Sequence, residues 1–404
     1  ATRQRSTSCC STRLSNKAKQ MAALCMVTVF ALMLIFYFSE EKQAETGLLR
    51  SASAFTPIYQ AADYSQDLVA LLAAQRVFNA NPSNPKTAIK LSRFSLQMYQ
   101  SNGNARFLGA AKSALQPWWD VSEPPLEIWL TRGRLLQTEH YFETAAQDLS
   151  RLNSSHPGNI EALLLETDAW RRAGRINPAK KACIALAFAG RPDLTLFCTA
   201  EILLSLGESK KAEAILGNRL DDIRSLGLGE QAWAWSIYAD SLLAIGELDQ
   251  AERIWDSIAQ SRELLLSYKL SYADVLIALS RWQQVTELLA ADADKTAALL
   301  RLSLAAKNTA AVDYETMRER LAARLEVAAE SAAAHLYLRE QALYAFWIEE
   351  DSKSALEFAL LNWEKQKGWE DVELVLTIAR SIDDTAALEQ IQQWRESFAG
   401  TTAL

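Results

Sequence analysis

A spaced pattern of aromatic, small and apolar residues occurs five times in this 404-residue chain and constrains its fold more than any other feature. An aromatic residue opens the first copy, small residues hold two fixed positions and a proline ends it. The residues concerned are Trp129, Gly133, Leu136, Phe142, Ala145, Leu149, Leu152 and Pro157. The copies begin near Leu126, Ile160, Asp193, Ala232 and Leu266, at intervals of 34, 33, 39 and 34 residues. A repeat of this length predicts a helix–turn–helix hairpin.

The small residues give the pattern its physical meaning, because two antiparallel helices approach closely only where side chains are small. Ala212 and Ala251 hold the position that Ala145 holds in the first copy, and Ser280 stands where another copy has a turn glycine. Proline ends a second helix because its ring clashes with the preceding turn and it has no N–H to donate. The longer third interval contains residues 226–229, which we predict to be a loop insertion.

These repeated residues resemble the tetratricopeptide repeat, closely over residues 126–290 and loosely over residues 63–115 and 335–398. The resemblance implies an all-α, right-handed α-solenoid of helical hairpins that binds other proteins and is not an enzyme. The composition favours helix as well, with only 14 glycines and 9 prolines in the whole chain.

The sequence divides into six predicted segments. They are a cytoplasmic basic tail (1–20), a transmembrane helix (21–38), a linker (39–60), divergent N-terminal helical repeats (61–125), the repeat array (126–290), and divergent C-terminal repeats with a cap (291–404). Within the last segment, residues 296–306 and 313–330 are predicted helices without a paired repeat signature.

An uncharged run from Met21 to Phe38 predicts a membrane anchor. Its 18 residues span about 27 Å as a helix, enough to cross a bilayer core. Five Lys and Arg residues precede the run and Glu40 and Glu41 follow it, so the N-terminus is expected inside and the repeats outside. A cleaved signal peptide is the alternative, although the run is longer than a usual signal core. We therefore expect a single-pass protein of a bacterial inner membrane with a periplasmic repeat domain.

Charge argues against a nucleic-acid ligand. Residues 1–50 hold seven of the 42 basic and three of the 49 acidic residues, which leaves residues 51–404 at a net charge of −11. Phosphate binding requires clustered Lys and Arg. No motif indicates catalysis, a cofactor or a metal site, and His140 and His156 are expected in solvated loops.

Cys183 and Cys198 lie on helices that pack together in a tetratricopeptide stack. An oxidising compartment would permit a disulfide, but two buried reduced thiols are the interpretation we favour from the sequence.

The resemblance also implies a binding groove, lined by the first helix of each hairpin. The ninth position of four consecutive first helices is acidic, and two aromatic residues lie beside this stripe. The predicted groove residues are Asp168, Glu201, Asp240, Asp274, Phe197 and Trp233. They predict binding of an extended or helical peptide with basic and apolar side chains.

The expected function is a membrane-anchored periplasmic scaffold for protein–protein interaction in an envelope assembly, biogenesis or export system. Two alternatives stay open at this point. One is a helical-repeat subunit of an enzyme that acts on envelope glycans, and the other is a self-assembling structural protein. The sequence leaves the partner and the oligomeric state undetermined.

Overall fold

A computed structural model describes residues 65–261 and 264–398, and this part of the chain is all-helical. It contains twenty α-helices and no strand. The helices are α1 Ser65–Ala80, α2 Pro85–Asn102, α3 Arg106–Leu115, α4 Leu126–Thr138, α5 Phe142–Ser155, α6 Ile160–Arg172, α7 Ile176–Phe188, α8 Pro192–Ser205, α9 Ser209–Gly217, α10 Leu220–Arg224, α11 Leu228–Ile245, α12 Leu248–Ser261, α13 Leu266–Ala278, α14 Trp282–Leu289, α15 Thr296–Asn308, α16 Tyr314–Ala329, α17 Leu338–Trp347, α18 Ser352–Lys365, α19 Trp369–Ser381 and α20 Thr385–Glu396.

The helices pair into nine hairpins within the described residues, from α2–α3 to α19–α20, with α10 as a short extra helix. The first helices of successive hairpins contact one another in the order α2, α4, α6, α8, α11, α13, α15 and α17. We call the surface that these first helices form the inner face. The array therefore continues past residue 290, where the sequence pattern weakens.

Close packing of the hairpins depends on the small residues of the repeat. Ala145, Ala212 and Ala251 are completely buried, which confirms their predicted position between helices. The large aromatic residues fill the same core: Trp129 is 1% exposed and Trp255 is fully buried. Small and large side chains thus interdigitate within each hairpin, as dense packing requires.

The turns inside the hairpins need a left-handed backbone residue. Gly174 has φ of 74°, and a side chain there would also collide with Lys367, whose Cδ lies 2.3 Å from the Cβ position. His140 and Ser280 adopt φ of 58° and 57° at the equivalent turns without being glycine. Non-glycine residues are uncommon in this region of backbone conformation.

Two sequence predictions change in the structure. The insertion in the third interval is the short helix α10, and residues 228 and 229 begin α11 instead of lying in a loop. Gly227 precedes α11 with an extended backbone, which is the conformation of a helix N-cap. Residues 296–308 and 314–329 form the hairpin α15–α16, although the sequence shows no repeat signature there.

A disulfide joins Cys183 of α7 to Cys198 of α8, so the favoured prediction of two reduced thiols is wrong. The Cα atoms lie 6.0 Å apart, within the range that a disulfide spans. The second helix of one hairpin packs directly on the first helix of the next, and this contact brings the two cysteines together.

The far end of the array returns to its middle. Helix α19 contacts α8, and the backbone N–H of Lys367 donates to the carbonyl of Arg172 over 2.7 Å. A second contact joins the C-terminal part to the beginning of the array, where the Tyr337 hydroxyl donates to the carbonyl of Gly103 over 3.0 Å. The C-terminal hairpins therefore pack against the ends of the early first helices.

The predicted transmembrane helix at residues 21–38 lies outside the described residues. Within the described part of the chain, no helix has both the length and the apolar character needed to span a bilayer.

Candidate functional site

The predicted groove residues lie on four first helices of the inner face: α6, α8, α11 and α13. Phe197 of α8 is 2% exposed, and its ring packs perpendicular to that of Trp233 on α11, with centroids 5.5 Å apart. The Trp233 indole N–H donates to Glu201 over 3.3 Å. These three residues form one contact between α8 and α11, as the sequence placed them.

Two arginines of its own helix neutralise Asp168. Arg171 Nη2 donates to it over 2.5 Å and Arg172 Nε over 3.1 Å. Burial alone would raise the pKa of the Asp168 carboxyl, but the two guanidinium groups hold that pKa below its usual value. Arg171 also lies 3.9 Å from Glu201.

Asp240 has a different environment, because no Lys, Arg or His of residues 65–261 and 264–398 forms an ion pair with its carboxylate. The indole N–H of Trp369, at the start of α19, donates to its carboxylate. Burial, together with the negative charges of Glu370, Glu201 and Asp274, raises the pKa of Asp240 well above its usual value. Helix α19 thus covers this part of the inner face.

Asp274 is engaged by Arg301 of α15. The guanidinium donates to both carboxylate oxygens of Asp274, over 2.7 Å each. Arg301 itself is buried. This bidentate geometry fixes the orientation of both side chains.

The expectation of one continuous acidic groove therefore needs correction. Each of the four carboxylates has a partner from the chain itself. Because these partners differ, the four carboxylates do not line one continuous open surface. Asp168 and Glu201 remain beside open space, whereas Trp369 covers Asp240 and Arg301 engages Asp274.

An open cleft of about 530 Å³ remains on the inner face between α4, α6, α8 and α11. Its lining is mainly apolar. The lining residues are Arg134, Ile160, Glu161, Leu164, Leu165, Thr167, Asp168, Cys198, Glu201 and Trp233. This volume falls within the usual range of ligand sites.

The charges around this cleft are largely balanced. Arg134 pairs with Glu161 over 2.8 Å, and both side chains are exposed. The pKa of Glu201 is raised, because burial outweighs the attraction of Arg171. An apolar floor with balanced charges suits an apolar side chain better than a cationic one.

His140 is not the solvated residue that the sequence suggested. It is half-buried, and its Nδ1 has no hydrogen-bond partner within the described structure. Burial, reinforced by Arg339, Arg172 and His335, lowers the pKa of His140 to about 3. His335 approaches from the C-terminal part, and its Nε2 donates to the carbonyl of Glu139 over 3.0 Å. His156 is exposed, as expected.

The described helices form consecutive helical hairpins, with tight left-handed turns and buried alanine contacts at the spacing of the sequence pattern. Among the described residues, no cluster of His, Cys, Asp and Glu could hold a metal ion.

The chain is similar to several solved tetratricopeptide-repeat structures. A tetratricopeptide repeat protein from Parabacteroides merdae is 15% identical, with a TM-score of 0.43, over 69% of this chain and 98% of that one. The tetratricopeptide domain of P58(IPK) is 15% identical, with a TM-score of 0.21, over 85% of this chain and 98% of that one. The Cut9–Hcn1 hetero-tetramer of the APC/C is 12% identical, with a TM-score of 0.28, over 83% and 84%. No protein-family model and no curated protein matches the sequence. The likeness is one of fold alone.

The sequence analysis did not identify the residues that pair with the carboxylates of the inner face. Arg171 and Arg172 occupy the twelfth and thirteenth places of their first helix, which are also groove positions and so offered a signal. Arg301 lies where the repeat register is weak. Trp369 lies more than a hundred residues beyond Asp240, and nothing local in the sequence links the two.

Proposed function

We propose that this protein is a scaffold that binds a segment of a partner protein in the cleft on its inner face. One observation carries the proposal: the cleft is apolar, concave and left open by the chain's own helices. Leu164, Leu165 and Trp233 provide the apolar surface, with Asp168 and Glu201 beside it. A helical or extended segment would place apolar side chains on this surface at helical or alternating spacing.

The side chains that line the cleft favour a partner segment with apolar anchors over the basic segment expected from the sequence. Arg171 and Arg172 already neutralise Asp168, so a basic residue of the partner gains little attraction there. Apolar anchors therefore contribute most of the affinity, and the binding should depend weakly on salt.

We place this scaffold outside the cytoplasm, anchored by residues 21–38, in an envelope assembly, biogenesis or export system. Two observations support this location. The uncharged run with its basic N-terminal flank predicts the orientation. The disulfide between Cys183 and Cys198 is typical of an oxidising compartment.

Site-specific photocrosslinking in cells tests the cleft. A photoreactive residue at Leu164, which lines the cleft, should capture a discrete protein. The same residue at the exposed Lys181, on the second helix of that hairpin, is the matched control. Introducing Trp233→Ala should weaken the capture at Leu164 while the repeat domain stays folded. Equal capture from both positions would contradict a binding site in the cleft.

A further inference from the structure

Another open pocket, of about 440 Å³, lies along α5. Five of its six lining residues belong to α5, the second helix of a hairpin, and the sixth belongs to α6. The lining residues are Thr144, Gln147, Ser150, Arg151, Ser154 and Trp170. They differ from the residues that line the cleft on the inner face, so the pocket is a separate candidate site.

The polar side chains of this pocket form a stripe along α5. Thr144, Gln147, Arg151 and Ser154 follow one another at intervals of three, four and three residues, which places them on one side of the helix. A stripe of this kind is ordinary on a solvated helix. Trp170, which stands beside the stripe at the end of α6, turns it into a pocket.

Trp170 is held in place by hydrogen bonds and by packing. Its indole N–H donates to one carboxylate oxygen of Glu166 over 3.2 Å, and the other oxygen accepts from the Asn153 amide of α5 over 2.7 Å. Glu166 is 8% exposed, so water is largely excluded from this bridge. The Trp170 side chain also packs against the buried cores of the hairpins. The half-buried indole is therefore fixed in position before a ligand arrives.

The neutral side chains of the lining offer both donors and acceptors of hydrogen bonds. The Gln147 amide is exposed and can donate and accept. The Ser154 hydroxyl donates to the carbonyl of Ser150 over 2.9 Å, which leaves the lone pairs of its oxygen as acceptors. Thr144 adds a further hydroxyl.

Arg151 is the charged residue of the lining. Its Nη2 donates to Asp148 over 2.9 Å, and Asp148 also accepts two hydrogen bonds from the buried Arg132. The three groups together carry one positive charge. The Arg151 side chain is 62% exposed, so water screens this charge and weakens its attraction for an anion. The other N–H groups of the guanidinium can donate to neutral hydroxyl groups.

We propose that this pocket binds a neutral saccharide. A sugar ring carries hydroxyl groups around its edge, which donate and accept hydrogen bonds, and apolar C–H groups on its faces. Gln147, Ser154 and Arg151 supply the matching polar groups, and Trp170 supplies an aromatic surface for the C–H groups. An apolar peptide anchor fits less well, because five of the six lining residues are polar. The inference goes beyond the proposed function, which concerns the cleft.

Titration of the full chain with neutral trisaccharides, followed by ligand-observed NMR, tests the pocket. The probes are maltotriose, cellotriose and tri-N-acetylchitotriose, and an amine-oxide detergent keeps sugar headgroups out of the sample. At least one probe should bind with a Kd below about 10 mM. Weaker binding of all three probes would overturn the saccharide site.

Substitutions then locate the bound sugar. Gln147→Ala should weaken binding about fivefold, because it removes hydrogen bonds to the sugar at an exposed position that the fold does not need. Gln250→Ala is the matched control, an exposed glutamine on the second helix of another hairpin, and should keep the wild-type affinity. Trp170→Ala should abolish binding, and Trp170→Phe, which keeps an aromatic ring, should retain part of it.

Two results would overturn the assignment even if a probe binds. Equal affinity of the wild-type and Gln147→Ala proteins would show that the sugar binds elsewhere. Displacement of the sugar by inorganic sulfate would identify an anion site at Arg151 instead. Photocapture at Leu164 should be the same in the Gln147→Ala protein, so the cleft and the saccharide pocket can fail independently.

Discussion

At the scale of single residues, the inner face owes its character to ionisable groups whose partners come from the chain itself. Asp168 and Asp274 are paired with arginines, whereas Asp240 accepts one indole hydrogen bond and faces other acids. His140 is held neutral at a strained turn. Because their environments differ, substituting these chemically similar groups should change the stability of the fold in opposite directions.

Asp240→Asn should stabilise the protein at neutral pH. The folded-state pKa of Asp240 exceeds its unfolded value of about 3.8, so stability falls as pH rises above that value. The amide removes this loss, and the melting temperature should rise at pH 7.5 but change little at pH 4. Thermal unfolding at both pH values measures the difference. Asp274→Asn is the control, because it breaks the pair with Arg301 and should cost roughly 1–3 kcal/mol.

His140→Asn should reduce the sensitivity of the protein to mild acid. The pKa of His140 is lowered from 6.5 to about 3 by burial, so the unfolded state binds the proton first. Stability is therefore lost as pH falls from about 6.5 towards 3. Asparagine tolerates the positive φ of this turn and does not titrate. Denaturant unfolding between pH 7.5 and 5 should show a shallower slope for His140→Asn, and the exposed His156→Asn should keep the wild-type slope.

At the scale of helices, stability comes from close crossings within hairpins and from links between them. The small residues permit the crossings, and one disulfide links two adjacent hairpins covalently. Each feature can be removed by a single substitution.

Ala251→Leu should destabilise the fold, because Ala251 is completely buried between helices and the added atoms have no space. We expect a cost of roughly 1–3 kcal/mol. Ala259→Leu on the same helix, at an exposed position, provides the control and should be nearly neutral. An equal melting temperature for Ala251→Leu and the wild type would contradict the packing described here.

Removing the disulfide should destabilise the array locally. The bridged residues are 15 positions apart, and closing a loop of that length stabilises by about 3 kcal/mol in the chain-entropy description. The double variant Cys183→Ser, Cys198→Ser should unfold at a lower urea concentration, with a free energy of unfolding reduced by about that amount. Added reductant should lower the midpoint of the wild-type protein and leave that of the double variant unchanged. A wild-type midpoint that does not respond to reductant would argue against the disulfide.

At the scale of the whole molecule, the predicted anchor and the closure of the array decide which surfaces meet other proteins. The C-terminal hairpins cover part of the inner face and leave the cleft open. The anchor, which lies outside the described residues, would hold this arrangement at a membrane.

The proposed membrane topology rests on the basic residues before the uncharged run. A reporter that works only in the periplasm, fused after Leu404, should be active, because Lys and Arg are retained on the cytoplasmic side. The full chain should stay in the membrane after alkaline washing, whereas residues 51–404 alone should be released. Reporter activity in the cytoplasm would refute the orientation.

The sequence by itself determined the local structure of the array. A residue pattern that recurs at fixed spacing encodes a hairpin through contacts within about 34 residues, so Ala145, Ala212 and Ala251 could be placed in the core in advance. The same spacing placed Phe197, Trp233 and Glu201 on neighbouring first helices.

Only the tertiary structure decided what those residues face. Small rotations between successive hairpins accumulate until α19 contacts α8. A local residue pattern does not predict this long-range contact. This closure brings Trp369 over Asp240 and buries His140. Arg301, which pairs with Asp274, comes from a later hairpin. An acidic stripe in the sequence therefore became, in the folded protein, a neutralised cleft beside a contact with the chain's own helix.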